Sequence, residues 1–198
     1  MNGIYIFLAP GYEPLEALAP MDVLRRAKLD AKFVSLTESR LVPSTQQYAI
    51  QADLTWDDFL STVDTSSNEG CIIFPGGLPG ADNLSDNTTL MDMAVEHFKA
   101  GGLTCAICAA PDRVIAGHLG GLNGDASLIV GRNVTVYEGF EKRLEEAGAS
   151  CQRYKGVVVD GNLITAKGPG LAIDFALAVL QALVDCRVYD VVKKAMML

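Results

Sequence analysis

Three short apolar runs constrain this fold most. They are residues 3–9 (Gly-Ile-Tyr-Ile-Phe-Leu-Ala), Cys71-Ile72-Ile73-Phe74 and Leu103-Thr104-Cys105-Ala106-Ile107. Each is cut off by small or turn-forming residues, and helical spacing follows. A run that is almost wholly apolar, without alternation, suits a strand covered on both faces. Such strands belong to a mostly parallel sheet with helices on either side, and that architecture gathers the turns at the carboxyl ends of its strands into one crevice.

The rest of the chain keeps the alternation. Pro14 is placed to open a helix over 14–28, on which Asp22 and Arg26 stand four apart and can pair. Residues 31–37 read as a strand, 38–55 as turn-rich with short strands, and 56–63 as a short helix in which Trp56 packs. A helix over 87–100 is capped by Asn87 or Thr88 and stopped by Gly101-Gly102. Helical spacing returns over 111–119, 140–147, 171–184 and 187–196. Short strands are expected over 133–136, 152–154, 157–160 and 163–166, with Asp160-Gly161 as a hairpin turn. At 198 residues, without repeats, linkers or low-complexity stretches, the chain suits a single α/β domain over 1–198.

Composition excludes several function classes. A formal net charge of −8 argues against nucleic acid as a partner, which requires a basic face. No apolar stretch reaches the length of a membrane span, and the N-terminal run lacks the basic flank of a signal peptide. The five cysteines, an odd number scattered through apolar segments, read as reduced thiols of a cytoplasmic protein. Cys105 and Cys108 form a C-x-x-C, but no second pair completes a metal site, and neither His97 nor His118 has metal-ligand spacing. No metal is expected.

Cys108 ends the third apolar run, and Ala109-Ala110-Pro111 lead into a helix. That order sets a thiol on a tight strand-to-helix turn, where free N–H groups and the helix dipole favour a thiolate. The same pattern also accommodates Cys108 as one more small buried apolar residue. Two other turns share its edge of the sheet. The first leads to Glu16, where Pro20 withholds the N–H that the Glu16 carbonyl would otherwise accept. The second, Pro75-Gly76-Gly77, leaves backbone N–H groups unshielded by side chains. A thiol, a carboxyl and backbone donors together suit addition to a carbonyl.

Gly11-Tyr12-Glu13-Pro14-Leu15-Glu16 with Pro20-Met21-Asp22-Val23-Leu24, Phe74-Pro75-Gly76-Gly77-Leu78-Pro79-Gly80, Ala106-Ile107-Cys108-Ala109-Ala110-Pro111 and Thr165-Ala166-Lys167-Gly168-Pro169-Gly170 resemble, in order, the motifs of the ThiJ/PfpI superfamily. The branch they are similar to is that of the parkinsonism-associated protein deglycase. The resemblance implies a flavodoxin-like three-layer αβα sandwich with a nucleophile elbow, and a homodimer. It makes Cys108 the reactive cysteine and Glu16 the carboxyl that hydrogen-bonds its sulfur or the oxidised form. It places Gly76, Gly77 and Ala109 at the oxyanion-binding position. It implies a cofactor-independent activity on 2-oxoaldehydes such as methylglyoxal and glyoxal (glyoxalase III type) or on their early protein adducts (deglycase type). Oxidative-stress sensing and chaperone-like activity through Cys108 form the alternative.

The chain departs from that pattern in three places. Tyr137 occupies the strand-end region where some members supply a histidine. Ala109 follows the cysteine where the protease-like branch carries histidine, which argues against peptidase activity. Cys105 stands where a small apolar residue is usual, so a C-x-x-C thiol oxidoreductase is a third reading. It is disfavoured because strand residues three apart point to opposite faces.

Overall fold

The computed structural model describes residues 1–64, 69–121 and 126–198. Its centre is a six-stranded sheet in the order β2 (Ala31–Ser35), β1 (Ile4–Leu8), β5 (Cys71–Phe74), β6 (Leu103–Ile107), β10 (Leu163–Ala166), β9 (Val157–Asp160). All neighbouring pairs are parallel except β10–β9, which form a hairpin with Leu163 opposite Asp160. Gly161, in the turn, takes φ 55°, as the Asp-Gly signal requires.

The period of two in the strands divides the core into two layers. Ile72, Phe74 and Ala106 face the layer of α2 (Trp56–Thr62), α4 (Thr88–Lys99) and the helix at Pro111–Leu119. Cys71, Ile73, Cys105 and Ile107 face the layer of α1 (Pro14–Arg26) and α6 (Ala172–Leu183). Both layers are apolar, which is why these strands carry no polar alternation. The fold is α/β, with a mostly parallel sheet flanked by helices.

Local chemistry sets the ends of the elements. Asn87 Oδ1 accepts the Leu90 N–H at 2.9 Å and caps α4, and Gly101 stops it at φ 91°. Asp22 and Arg26 pair at 2.7 Å on α1. Trp56 stacks on Phe59. In the turn-rich region, β3 (Leu41–Pro43) and β4 (Ala49–Gln51) form a small antiparallel pair.

One expected strand is displaced, one expected helix forms with a wider turn, and one short helix carries no sequence signal. The strand expected over 152–154 lies earlier: β8 (Ser150–Cys151) pairs with β7 (Asn133–Val134), and Tyr154 stands in solvent. The helix at Pro111–Leu119 is a π-helix, closed by the Gly120 N–H on the Ile115 carbonyl at 2.8 Å. A short helix, α3 (Gly80–Ser85), was not expected, because its six residues carry two helix-poor asparagine and glycine positions and no side-chain cap. Two further helices, α5 (Lys142–Glu146) and α7 (Cys186–Ala195), complete the chain.

Candidate active site

Strand β6 ends at Ile107, and the chain reverses at Cys108 with φ 65°. A side chain in this left-handed region is strained by roughly 1–2 kcal/mol. Two backbone hydrogen bonds hold it there. The Cys108 N–H donates to the Ala166 carbonyl at the end of β10, 2.9 Å away, and the Tyr137 N–H donates to the Cys108 carbonyl at 3.1 Å. Ala109 and Ala110 are small and buried, which lets the π-helix begin directly behind the sulfur.

Glu16 comes from the first turn of α1 and is fully buried. Its N–H donates to the carboxylate of Glu13, the N-cap residue, at 2.9 Å. Its own Oε2 accepts the Gly76 N–H at 2.8 Å. Oε1 is buried without a partner in hydrogen-bond geometry. The Cys108 thiol donates toward this carboxyl outside that geometry, which leaves the second oxygen open to a better partner.

Gly76 is where these groups converge. A Cβ on it would lie 2.7 Å from Cys108 Cβ, 2.8 Å from Glu16 Oε2 and 2.9 Å from the Ala109 nitrogen. No side chain fits there. Gly77 needs its glycine for a second reason as well, since it adopts φ 84° and its missing Cβ would press on the backbone of Glu13 and Gly11.

Burial raises the Glu16 carboxyl to about 7, against the pull of the Gly76 N–H and the Cys108 thiol, which lower it; the charge of Glu13 adds to the rise. Burial, then the charge and hydrogen bond of Glu16, push the Cys108 thiol up to about 12, while the Gly77 and Ala109 N–H groups draw it down. The expected thiolate is therefore corrected. The helix-terminal N–H groups are present, but desolvation and a neighbouring carboxyl outweigh them. Near neutral pH the carboxyl gives up its proton before the thiol does.

The other candidates lie as follows. The Gly76 N–H, expected at the oxyanion position, is taken up by Glu16, so Gly77 and Ala109 are the donors directed at sulfur. Tyr137 is tied to Cys108 through its backbone. Its ring is half exposed and lines a cavity of about 450 Å3 with Glu138, Lys167, Gly168 and Leu171. Cys105 is fully buried, with Sγ 3.9 Å from that of Cys71, and all five cysteines are free thiols. Both histidines serve structure. His97 Nδ1 lies 3.1 Å from the Met1 nitrogen, and His118 Nε2 lies 2.9 Å from Ser85 Oγ. Glu13 is a functional candidate that residue order alone does not single out. Its position directly before Pro14, the first helical residue, was the available signal.

A sharp cysteine turn at the carboxyl edge of a parallel sheet, with a buried glutamate against a glycine peptide, defines a class of α/β proteins with a nucleophile elbow. The chain belongs to the DJ-1/PfpI family, whose description matches residues 2–182. Protein dj-1beta of Drosophila melanogaster is 35% identical over 178 residues, covering 90% of this chain and 87% of that protein. The glutathione-independent glyoxalase DJ-1 of Schizosaccharomyces pombe is 27% identical, covering 99% and 98%. Among solved structures, Drosophila melanogaster DJ-1beta superposes with a TM-score of 0.85 at 31% identity, covering 98% of this chain and 97% of that one. Oxidised Toxoplasma gondii DJ-1 does so with a TM-score of 0.82 at 26% identity, covering the same shares.

Proposed function

We propose that this protein acts without a cofactor on 2-oxoaldehydes such as methylglyoxal and glyoxal, or on their early protein adducts, with Cys108 as nucleophile and Glu16 as proton carrier. One observation carries the reading: a fully buried carboxyl held at about 7 stands against a partly exposed thiol on a strained turn. A group titrating near neutrality can both take and return a proton. The family relative named as a glyoxalase supports the same reading.

The chemistry balances without an external redox partner. The Cys108 sulfur adds to the aldehyde carbon, and the thiol proton passes through Glu16 to the new oxygen, giving a hemithioacetal. The developing oxyanion is met by the Gly77 and Ala109 N–H groups. The Glu16 carboxylate then removes the proton on that carbon and returns it to the neighbouring ketone carbon, while the hydroxyl proton of the hemithioacetal moves to the ketone oxygen. The first carbon is oxidised to a thioester and the second reduced to an alcohol. Water cleaves the thioester, releasing lactate from methylglyoxal and restoring the thiol. With an early adduct, the Cys108 sulfur displaces the protein's amine from the carbinol carbon, and the thiol proton leaves on that amine.

The test is lactate formation from methylglyoxal by the wild-type protein beside Cys108→Ser and Glu16→Gln. Turnover in the wild type and its loss in both variants is expected. No lactate from the wild type, or full activity in Cys108→Ser, overturns the reading.

A second reading has its own support. Glu16 Oε1, buried and unpartnered, can donate to an oxygen added to the Cys108 sulfur when Glu16 is protonated. In that case the protein serves as an oxidative-stress sensor. Peroxide treatment followed by peptide mass mapping is then expected to find two oxygens on Cys108 in the wild type and further oxidation in Glu16→Gln.

Both readings accommodate a cytoplasmic homodimer. Leu15, Leu18 and Ile173 are 56%, 40% and 47% exposed, and with Met196 they line an apolar groove of about 360 Å3 between α1 and α6. The same face meeting itself would cover them. A monomer mass by light scattering at micromolar concentration overturns this.

A further inference from the structure

The N-cap of α1 breaks a pattern that the other side-chain-capped helices keep. Among the described residues, four helices are capped by a side chain that accepts a backbone N–H: α1 by Glu13, α2 by Thr55, α4 by Asn87 and α7 by Asp185. The last three are the short polar residues that caps favour. Glutamate is not among them, and a serine or aspartate would cap α1 as well or better. A residue retained against local preference at a site of chemistry points to a second duty.

Three hydrogen bonds show what that duty is. The Glu16 N–H donates to Glu13 Oε2 at 2.9 Å. The Gly76 N–H donates to Glu16 Oε2 at 2.8 Å. The Glu13 N–H donates to the Gly76 carbonyl at 2.9 Å, closing the ring. Every member holds the next, so Glu16 cannot turn away from Cys108 without opening a bond of Glu13 or of the Gly76 peptide. Glu13 adds negative charge from the helix start, and Cys108 faces Glu16 from the elbow; these are the titratable groups that act on it.

We infer that Glu13 is a positioning residue of the site, holding Glu16 and Gly76 in one ring of hydrogen bonds. The inference rests on the reading of Glu16 as the proton carrier. Glu13 itself touches neither sulfur nor substrate. It acts through Glu16, whose carboxyl would ionise earlier in a site with a neutral cap.

The experiment is a direct titration of Glu16 by 13C NMR of carboxyl-labelled glutamate, its resonance identified by its absence in Glu16→Gln. Glu13→Gln keeps an acceptor and removes the charge. Its Glu16 midpoint is expected about half a pH unit lower, a threefold change in the ionisation ratio. Glu13→Ala removes the charge and opens the ring as well; loosening the Gly76 N–H bond that draws the carboxyl down sets its midpoint between those of Glu13→Gln and the wild type. Glu13→Ser restores a short cap, so it should melt near the wild type while titrating like Glu13→Gln. That combination separates a role in the site from a role in helix stability. Identical Glu16 midpoints in the wild type, Glu13→Gln and Glu13→Ala overturn the inference. Loss of the parent reading looks different: Glu16→Gln would still make lactate, whatever the Glu13 variants do to the titration.

Discussion

Cys105 and Cys108 are separated by two residues on the same strand end, and they live in opposite chemistries. Cys105 points into the layer between the sheet and α1–α6, where its polar neighbour is the thiol of Cys71 at 3.9 Å. Cys108 sits where the backbone leaves the strand at φ 65°, partly exposed, with two N–H groups and a carboxyl around its sulfur. Burial raises the pKa of both thiols. A lowered thiol pKa is therefore not what separates them. Cys108 has a group beside it that can accept its proton, donors that can receive charge, and a path to solvent. Cys105 has none of these.

The largest test of that contrast is removal of each sulfur in turn. Cys108→Ser is expected to lower lactate formation by about 10³-fold or more, while Cys105→Ser turns over near the wild-type level. Cys105→Ser should instead lose ~1–3 kcal/mol of stability through a hydroxyl placed in an apolar layer, read by denaturant unfolding. Equal loss of activity in both variants would break the comparison.

Next is the proton acceptor. Glu16→Gln is expected to reduce turnover ~10²–10⁴-fold, the usual contribution of general acid–base help, measured with the same lactate assay. The same residue makes stability depend on pH. Its pKa is raised from 4.5 unfolded to about 7 folded. Between those values the native state holds more protons than the unfolded state, so stability is full below pH 4.5 and falls as pH rises through 7. The loss is on the order of 3 kcal/mol. Glu16→Gln should abolish it, and denaturation midpoints at pH 4.5 and pH 8 would show the difference. A wild type no less stable at pH 8 relative to the variant would rule out the raised carboxyl.

Smaller effects sharpen the geometry. Gly76→Ala forces a methyl against Cys108, Glu16 and the Ala109 backbone. A destabilisation of ~1–3 kcal/mol is expected from overpacking, visible as a lowered melting temperature, with Cys108 alkylating at an altered rate. Tyr137→Phe is the smallest change. Tyr137 reaches Cys108 through its backbone N–H, which phenylalanine keeps, so turnover should hardly move. A collapse in activity would show that the hydroxyl takes part.

Much of the fold could be read from residue order alone, because strands buried on both faces leave an unmistakable apolar signature and their terminating glycines and prolines mark the edge where the site forms. The convergence of Cys108, Glu16 and the Gly76 turn followed from the topology of parallel sheets. Three things did not. The displaced strand at Ser150–Cys151 is two residues long and held mainly by long-range bonds, as in the Gln152 N–H on the Val134 carbonyl. The donor assignment within Pro75-Gly76-Gly77 depends on which N–H turns toward Glu16, a matter of ångströms. The protonation of Cys108 is a balance between desolvation and backbone donors, and a string of residues shows the donors but hides the desolvation.

The left-handed backbone at Cys108 also bears on how such a chain drifts over generations. At φ 65° a glycine would relieve roughly 1–2 kcal/mol of steric strain, and a single base change turns a cysteine codon into a glycine codon. The most accessible stabilising mutation at this position is thus the one that deletes the sulfur. A lineage released from the need for the chemistry would slide toward glycine here, so the residue found at this turn reports whether selection on the chemistry persists.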